Sequence, residues 1–154
     1  MMGPVTARQL QGTLVSLGYQ GRDATELIDQ LLQADVSTLV DVRLTPLSRK
    51  PGLSKRRLAD ALNAAGIQYV HLPHLGNPKD NRETFRGGKP DSRARYLRLL
   101  QSPDGRAAMR HIAEMLDGGV VALLCFERVH TTCHRALVAA ELGQSTPGLR
   151  VWEL

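Results

Sequence analysis

Aromatic side chains are scarce, at 4% of 154 residues. A platform for single-stranded nucleic acid needs several stacking rings, so that architecture is excluded. Cysteine is scarcer still. Two in a chain of this length cannot build a disulfide scaffold, which makes a reducing cytoplasm the expected compartment. No apolar run approaches the ~20 residues that span a bilayer, and the N-terminus lacks a signal peptide's hydrophobic stretch, so no membrane partner is expected. Acidic residues are the minority: 15 Asp and Glu face 20 Lys and Arg, a net charge of +5. This excess favours an anionic small molecule or nucleic acid as partner. What remains is ordinary for a globular chain. Hydrophobic residues reach 42% and charged residues 23%, enough for a core and too balanced for bulk disorder. The length suits one domain.

Residues 1–12 read as a loose start, and 13–154 as one α/β domain. Thr13 to Tyr19 is a short apolar run, the first strand. Asp23 and Glu26 have capping-box spacing, with Ala24, Leu27, Ile28, Leu31 and Leu32 following at helical intervals. Thr38 to Arg43 is a second strand. Ser54 is placed to cap a second helix, with Leu58 and Leu62 on its apolar side and Gly66 at its end. Ile67 to Leu72 is a third strand. Pro73 to Pro90, rich in Gly, Pro and charge, shows no periodicity and reads as a functional or mobile loop. A helix begins near Asp91. Another starts at Ser102-Pro103, a strong cap signal. Val120 to Cys125 is the most apolar strand and is expected to be central. A helix from about Thr132 to Leu142, closed by Gly143, and a strand over Leu149–Trp152 complete the chain. Alternation of this kind predicts a three-layer α/β domain: a mainly parallel five-stranded sheet with helices on both faces. By analogy with doubly wound folds the expected strand order is 3-2-1-4-5. Ligands of such sheets sit at the carboxyl ends of the strands, which selects Gly18–Arg22, Arg43–Ser54 and Cys125–Arg135.

The last of these segments is the richest in chemistry. It holds both cysteines, Glu127, His130, His134, Arg128 and Arg135. Cys133 is expected in the first turn of the following helix, where free amides and the positive dipole end favour a thiolate or an anion. Arg135 offers a fork for phosphate or carboxylate. Glu127 and His134 are candidate proton-transfer groups. Cys133 or Cys125 as nucleophile, a metal site, and an anion-binding turn with packed cysteines all compete here. Metal is the weakest of the three: Cys-x7-Cys-His matches no zinc-ribbon or zinc-finger spacing, and neighbours Cys133 and His134 are poorly placed to share one ion. Cys125, ending a core strand, reads as readily as packing.

Asp41 and Arg43, two apart on the second strand, share one face; burial there demands pairing or function. The next loop carries Ser48, Arg49 and Lys50, either a phosphate holder or a solvated basic turn. Tyr19 follows the first strand in Gly18-Tyr19-Gln20-Gly21, which lacks dinucleotide and Walker spacing, so no cofactor is implied. His71 and His74 flank Pro73 without a convincing metal pattern. The basic stretch from Lys79 to Arg98 is a flap for a polyanion or a solvated surface.

These motifs together resemble the bacterial and archaeal "domain of unknown function 488" family. The resemblance rests on Gly18-Tyr19-x-Gly21, Leu39-Val40-Asp41-Val42-Arg43, Pro46-x-Ser48-Arg49 with Lys55 beyond, Tyr69-x-His71-x-Pro73-x-Leu75-Gly76, Leu124-Cys125-x-Glu127 and Cys133-His134-Arg135, in the family's order. It implies a single α/β domain with a site built from those motifs, and no reaction. The family's usual Gly-Tyr-Ser reads Gly18-Tyr19-Gln20 here, so a hydroxyl role at that position does not carry over. Rhodanese-like and cysteine-phosphatase cradles are excluded, because neither cysteine is followed by arginine at Cys-x5-Arg spacing.

The expectation is therefore an enzyme-like pocket for an anionic, phosphate-bearing ligand. Tyr19, Asp41, Arg43, Ser48, Arg49, His71 and Arg135 are the binding candidates, Glu127 and His134 the proton carriers and Cys133 the nucleophile, with no metal. A non-catalytic nucleic-acid module using residues 79–98 is the alternative, and a thiol-based redox or metal sensor is the third.

Overall fold

In a computed structural model describing residues 12–154, the most apolar stretch of the chain is the middle strand of a five-stranded sheet. The strands are β1 (Thr13–Gly18), β2 (Val36–Asp41), β3 (Gln68–His71), β4 (Val120–Cys125) and β5 (Arg150–Glu153). Every pairing is parallel. The order is β3-β2-β4-β1-β5, not the expected 3-2-1-4-5. All six residues of β4 are buried. A strand apolar on both faces gains most from the centre, so β4 inserts between β1 and β2. The loose segment expected over 1–12 lies outside the described residues apart from Gly12.

Helices cover both faces. On one lie α1 (Ala24–Gln33) and α2 (Lys55–Ala64), whose Leu27, Leu31, Leu58 and Leu62 pack against Val15, Leu17, Leu39 and Leu124. Burying each of these leucines contributes roughly 1.5–3 kcal/mol. The Asp23 carboxylate caps α1 by accepting from Glu26 N at 2.8 Å. Ser54 occupies the cap position of α2 but makes no capping bond. Its hydroxyl instead accepts from Ser48 N at 3.0 Å and donates to Ser48 O at 3.2 Å, closing the β2–α2 loop on itself.

The other face carries α3 (Arg82–Arg86), α4 (Pro90–Gln101), α5 (Pro103–Leu116) and α6 (Arg135–Ser145). Phe85, Tyr96, Ile112, Val138 and Leu142 meet Leu14, Val40, Val42, Val121 and Leu123 there. The Ser102 cap is made, accepting from Gly105 N at 3.1 Å. The stretch from Pro73 to Pro90 is not a plain loop. It contains two 3-10 turns and α3. Buried Asn77, Asn81 and Ser92 hold it together, with Asn81 Nδ2 donating to Asn77 Oδ1 at 2.9 Å and Ser92 Oγ to Asn81 Oδ1 at 2.7 Å. Tyr96 OH donates to Leu75 O at 2.6 Å. Polar side chains share this anchoring with Leu75 and Phe85, two core residues ten positions apart, which leaves no hydrophobic period to read. No helix among the described residues is long and apolar enough to cross a membrane.

Candidate functional site

Three strand ends are stitched together before they diverge. Tyr19 N donates to Cys125 O at 3.1 Å, Gln20 N to Phe126 O at 2.9 Å and Val42 N to Leu124 O at 3.1 Å. Two glycines permit the closeness. A Cβ on Gly18 would fall 1.9 Å from Glu127 O, and one on Gly76 would fall 2.4 Å from Leu44 Cα. Each admits no larger residue unless backbone moves.

Above these ends lies a cavity of about 330 Å³. The β1 and β4 ends give it Tyr19, Cys125, Phe126 and Glu127. The β2 end gives Arg43, Leu44, Thr45 and Leu47. Asn77, Arg82 and Arg86 come from the β3–α4 connection, and His134 from the start of α6. Of the expected residues, Tyr19, Arg43, Glu127 and His134 thus share one space. Cys125, read as readily as packing, lines it too.

Asp41 stands directly behind Arg43. Its Oδ1 accepts from Arg43 Nε at 2.9 Å and its Oδ2 from Arg43 Nη2 at 2.7 Å. Arg43 N at 3.1 Å and Tyr69 OH at 2.5 Å complete its partners. With all four bonds made, Asp41 positions Arg43 and is no free base. Arg43 Nη1 donates to Leu53 O at 2.7 Å, and the guanidinium lies 5.3 Å from the Tyr19 ring centre. Burial opposes the Arg43 charge, but hydrogen bonding and attraction from Asp41 outweigh it and hold Arg43 more firmly charged than a free arginine. Burial and then the Asp41 bond push the Tyr69 hydroxyl up, so it stays a donor.

The remaining candidates lie outside the cavity lining. His71 Nε2 donates to Arg43 O at 2.8 Å, bracing the loop from below. Ser48 Oγ accepts from Lys50 N at 3.1 Å within its own turn, and Arg49 is exposed. Arg135 is wholly buried, giving Nε to Ser16 Oγ at 2.8 Å and Nη1 to Cys133 Sγ at 3.4 Å, so its fork is spent inside. Cys133 is not in the first turn of a helix. A 3-10 turn, His130–Thr132, intervenes, and α6 starts only at Arg135. Cys133 is extended (φ −107°, ψ 151°) and its own N–H is bonded to His130 O at 3.1 Å, so that amide is not offered to an anion. Gly143 does not close α6, which continues to Ser145.

Behind the cavity wall, His134 Nδ1 sits 3.5 Å from Cys133 Sγ and 3.8 Å from Cys125 Sγ. Cys125 Sγ is 3.4 Å from Glu127 Oε2. The Cys133 hydrogen bond, then burial, pushes the Cys125 thiol well up, so without a cation it stays protonated at neutral pH. Burial works against a charge on His134, yet Cys125, the Val42 carbonyl and Glu127 together raise it. The two sulfurs and Nδ1 of His134 are the donors here that suit a metal.

The sequence places Arg82 and Arg86 in the basic flap over 79–98 and does not assign them to the pocket that they line. Their spacing of four, inside a stretch taken as loop, was the available signal, since it aligns both on one face once α3 forms.

The family described as "Domain of unknown function DUF488" matches residues 23–142. No curated protein and no solved structure matches the chain.

Proposed function

The chain belongs to the DUF488 family, and we propose that its cavity binds a phosphate-bearing small ligand. The observation that carries this reading is the convergence of Arg43, Arg82 and Arg86 on one cavity, against one carboxylate among the described lining residues, Glu127. Arg43 is fixed by Asp41, while Arg82 keeps its Nε on Asn77 O at 3.1 Å and can turn its outer nitrogens to a guest. Preorganised guanidinium forks of this kind suit phosphate better than a lone ammonium. The volume lies at the small end of ligand pockets, near ~300 Å³, which fits a phosphate ester or mononucleotide rather than a polymer. Tyr19 and Phe126, edge to face at 5.4 Å, supply an apolar wall for the organic part.

If chemistry follows binding, Glu127 is the proton-transfer group. His134 commits Nε2 to Val42 O at 2.9 Å and aims Nδ1 at the sulfurs, away from that task. Both cysteines are unbridged, which suits a reducing cytoplasm. In the polymer-binding alternative two of the cations are already engaged. Arg95 pairs with Asp80 at 3.1 Å, and Arg93 lies 4.7 Å above the Phe85 ring.

Calorimetric titration with a nucleoside monophosphate, inorganic phosphate and the unphosphorylated nucleoside tests the reading. The phosphorylated probe binds and the bare nucleoside does not. Equal binding of both, or no binding of either phosphate at millimolar concentration, overturns it.

A further inference from the structure

We propose that Cys125, Cys133 and His134 together form a binding site for one soft divalent ion of the zinc class, with its open side facing the cavity. The site goes beyond the phosphate reading and stands without it.

The spacing of the donors is the first argument. Zinc bonds of about 2.3 Å to sulfur and 2.0–2.1 Å to nitrogen, at a tetrahedral angle, put sulfur and nitrogen roughly 3.6 Å apart. His134 Nδ1 lies 3.5 and 3.8 Å from the two sulfurs, and all three donor atoms fall within 4.8 Å of one another. An ion can therefore enter with only small shifts of the side chains.

Tautomer and orientation are the second. The Val42 carbonyl can only accept, so the 2.9 Å bond to His134 Nε2 places the ring proton there. Nδ1 then presents its lone pair to both sulfurs. A backbone carbonyl anchoring the far ring nitrogen is the support that metal-ligating histidines use. Arg135 Nη1 donates to Cys133 Sγ at 3.4 Å and fixes where that sulfur sits.

Backbone geometry explains why adjacent residues reach one ion. Cys133 is extended, and His134 turns into αR (φ −61°, ψ −16°) as the cap of α6. The chain bends between them, and both side chains reach the end of β4. The three are nearly inaccessible, at 6%, 1% and 5% exposure, but Cys125 and His134 touch the cavity, which gives the ion a way in. Glu127 Oε2, 3.4 Å from Cys125 Sγ, is an oxygen within reach of the fourth position. Two thiolates cancel the divalent charge. Two sulfurs and an imidazole favour zinc over magnesium or calcium.

The probe is Co2+ added to the reduced, metal-free protein. One ion binds per chain with the thiolate-to-cobalt charge-transfer band and the d–d intensity of a tetrahedral site, and Zn2+ displaces it. Zn2+ also shields both thiols from a disulfide reagent. Cys125→Ser, Cys133→Ser and His134→Gln each weaken binding by more than about 100-fold, beyond the cost of losing an outer partner. Glu127→Gln keeps the stoichiometry and both sulfur bands. If a variant fails to fold, thiol shielding in the unsubstituted protein still decides. Stoichiometric Co2+ without a sulfur charge-transfer band, or thiols equally reactive with and without Zn2+, overturns the site whether or not phosphate binds.

Discussion

The Asp41 carboxylate grips the Arg43 guanidinium at two points, 2.9 and 2.7 Å, with both groups buried. The carboxylate is saturated, and the guanidinium keeps an edge on the cavity. Removing the acid therefore leaves a mostly buried cation without its counter-charge, held by the Leu53 carbonyl and the Tyr19 ring. Asp41→Ala lowers stability by about 3–5 kcal/mol. In urea the midpoint falls while the slope is unchanged. A loss below about 1 kcal/mol would show that Arg43 finds another partner.

Gly18 and Gly143 make a matched pair. A methyl group at Gly18 meets Glu127 O at 1.9 Å, whereas one at Gly143 meets nothing within 4 Å. Gly18→Ala costs about 3 kcal/mol, the upper end of overpacking, because backbone must move. Gly143→Ala, inside α6, stabilises by about 0.5–1 kcal/mol. Thermal melts give both signs, and equal shifts would contradict the close approach.

Arg86 is exposed and borders the cavity, while Arg95 is tied to Asp80 and lies outside it. Arg86→Ala and Arg82→Ala each weaken nucleoside monophosphate binding by roughly tenfold, equivalent to one charge-assisted bond of about 1.5 kcal/mol. Arg95→Ala leaves it unchanged. Titration calorimetry at fixed salt makes the comparison. A loss with Arg95→Ala equal to the other two would point to a diffuse field instead of a built pocket.

Tyr69 and Tyr96 hold their protons above the ordinary tyrosine range, both chiefly through burial and Tyr69 also through Asp41. Near pH 10, where free tyrosine ionises, the unfolded chain releases protons that the native state keeps. Stability is then full below about pH 10 and falls as the pH rises past it. Alkaline absorbance titration of Tyr69→Phe shows the same first step as the unsubstituted protein, since Tyr69 contributes nothing to it. A smaller step in the variant would mean that Tyr69 ionises while folded.

Much of this molecule could be read from its residues. The two capped helix starts, at Asp23 and Ser102, are local events written in three or four adjacent positions, and they form as read. Apolar runs located all five strands to within two residues at either end. Strand order escaped because it depends on which strand tolerates neighbours on both edges, a comparison among distant segments. The α6 start was misplaced because the Val129–Cys133 turn is closed by bonds such as Thr132 Oγ1 to Val129 O at 2.9 Å, which no hydrophobic period reports. Within the candidate site, the spacing of two put Asp41 and Arg43 on one face and demanded a partner for each, but not that they would pair with each other. The inward turn of Arg135 had no such signal, since its partner Ser16 lies in β1.

Because β4 separates β1 from β2, a chain emerging from the ribosome holds its first strand without a lateral partner until residues near 120 appear. Among the described strands, only β2 and β3 can pair before then. Closing so long a loop is entropically slow, and the early strand edge is open to wrong partners meanwhile. A fragment cut before Val120 keeps the cavity arginines but lacks the central strand together with the glutamate and the sulfurs that follow it. Co-translational assembly thus leaves the binding centre among the last parts of the molecule to exist.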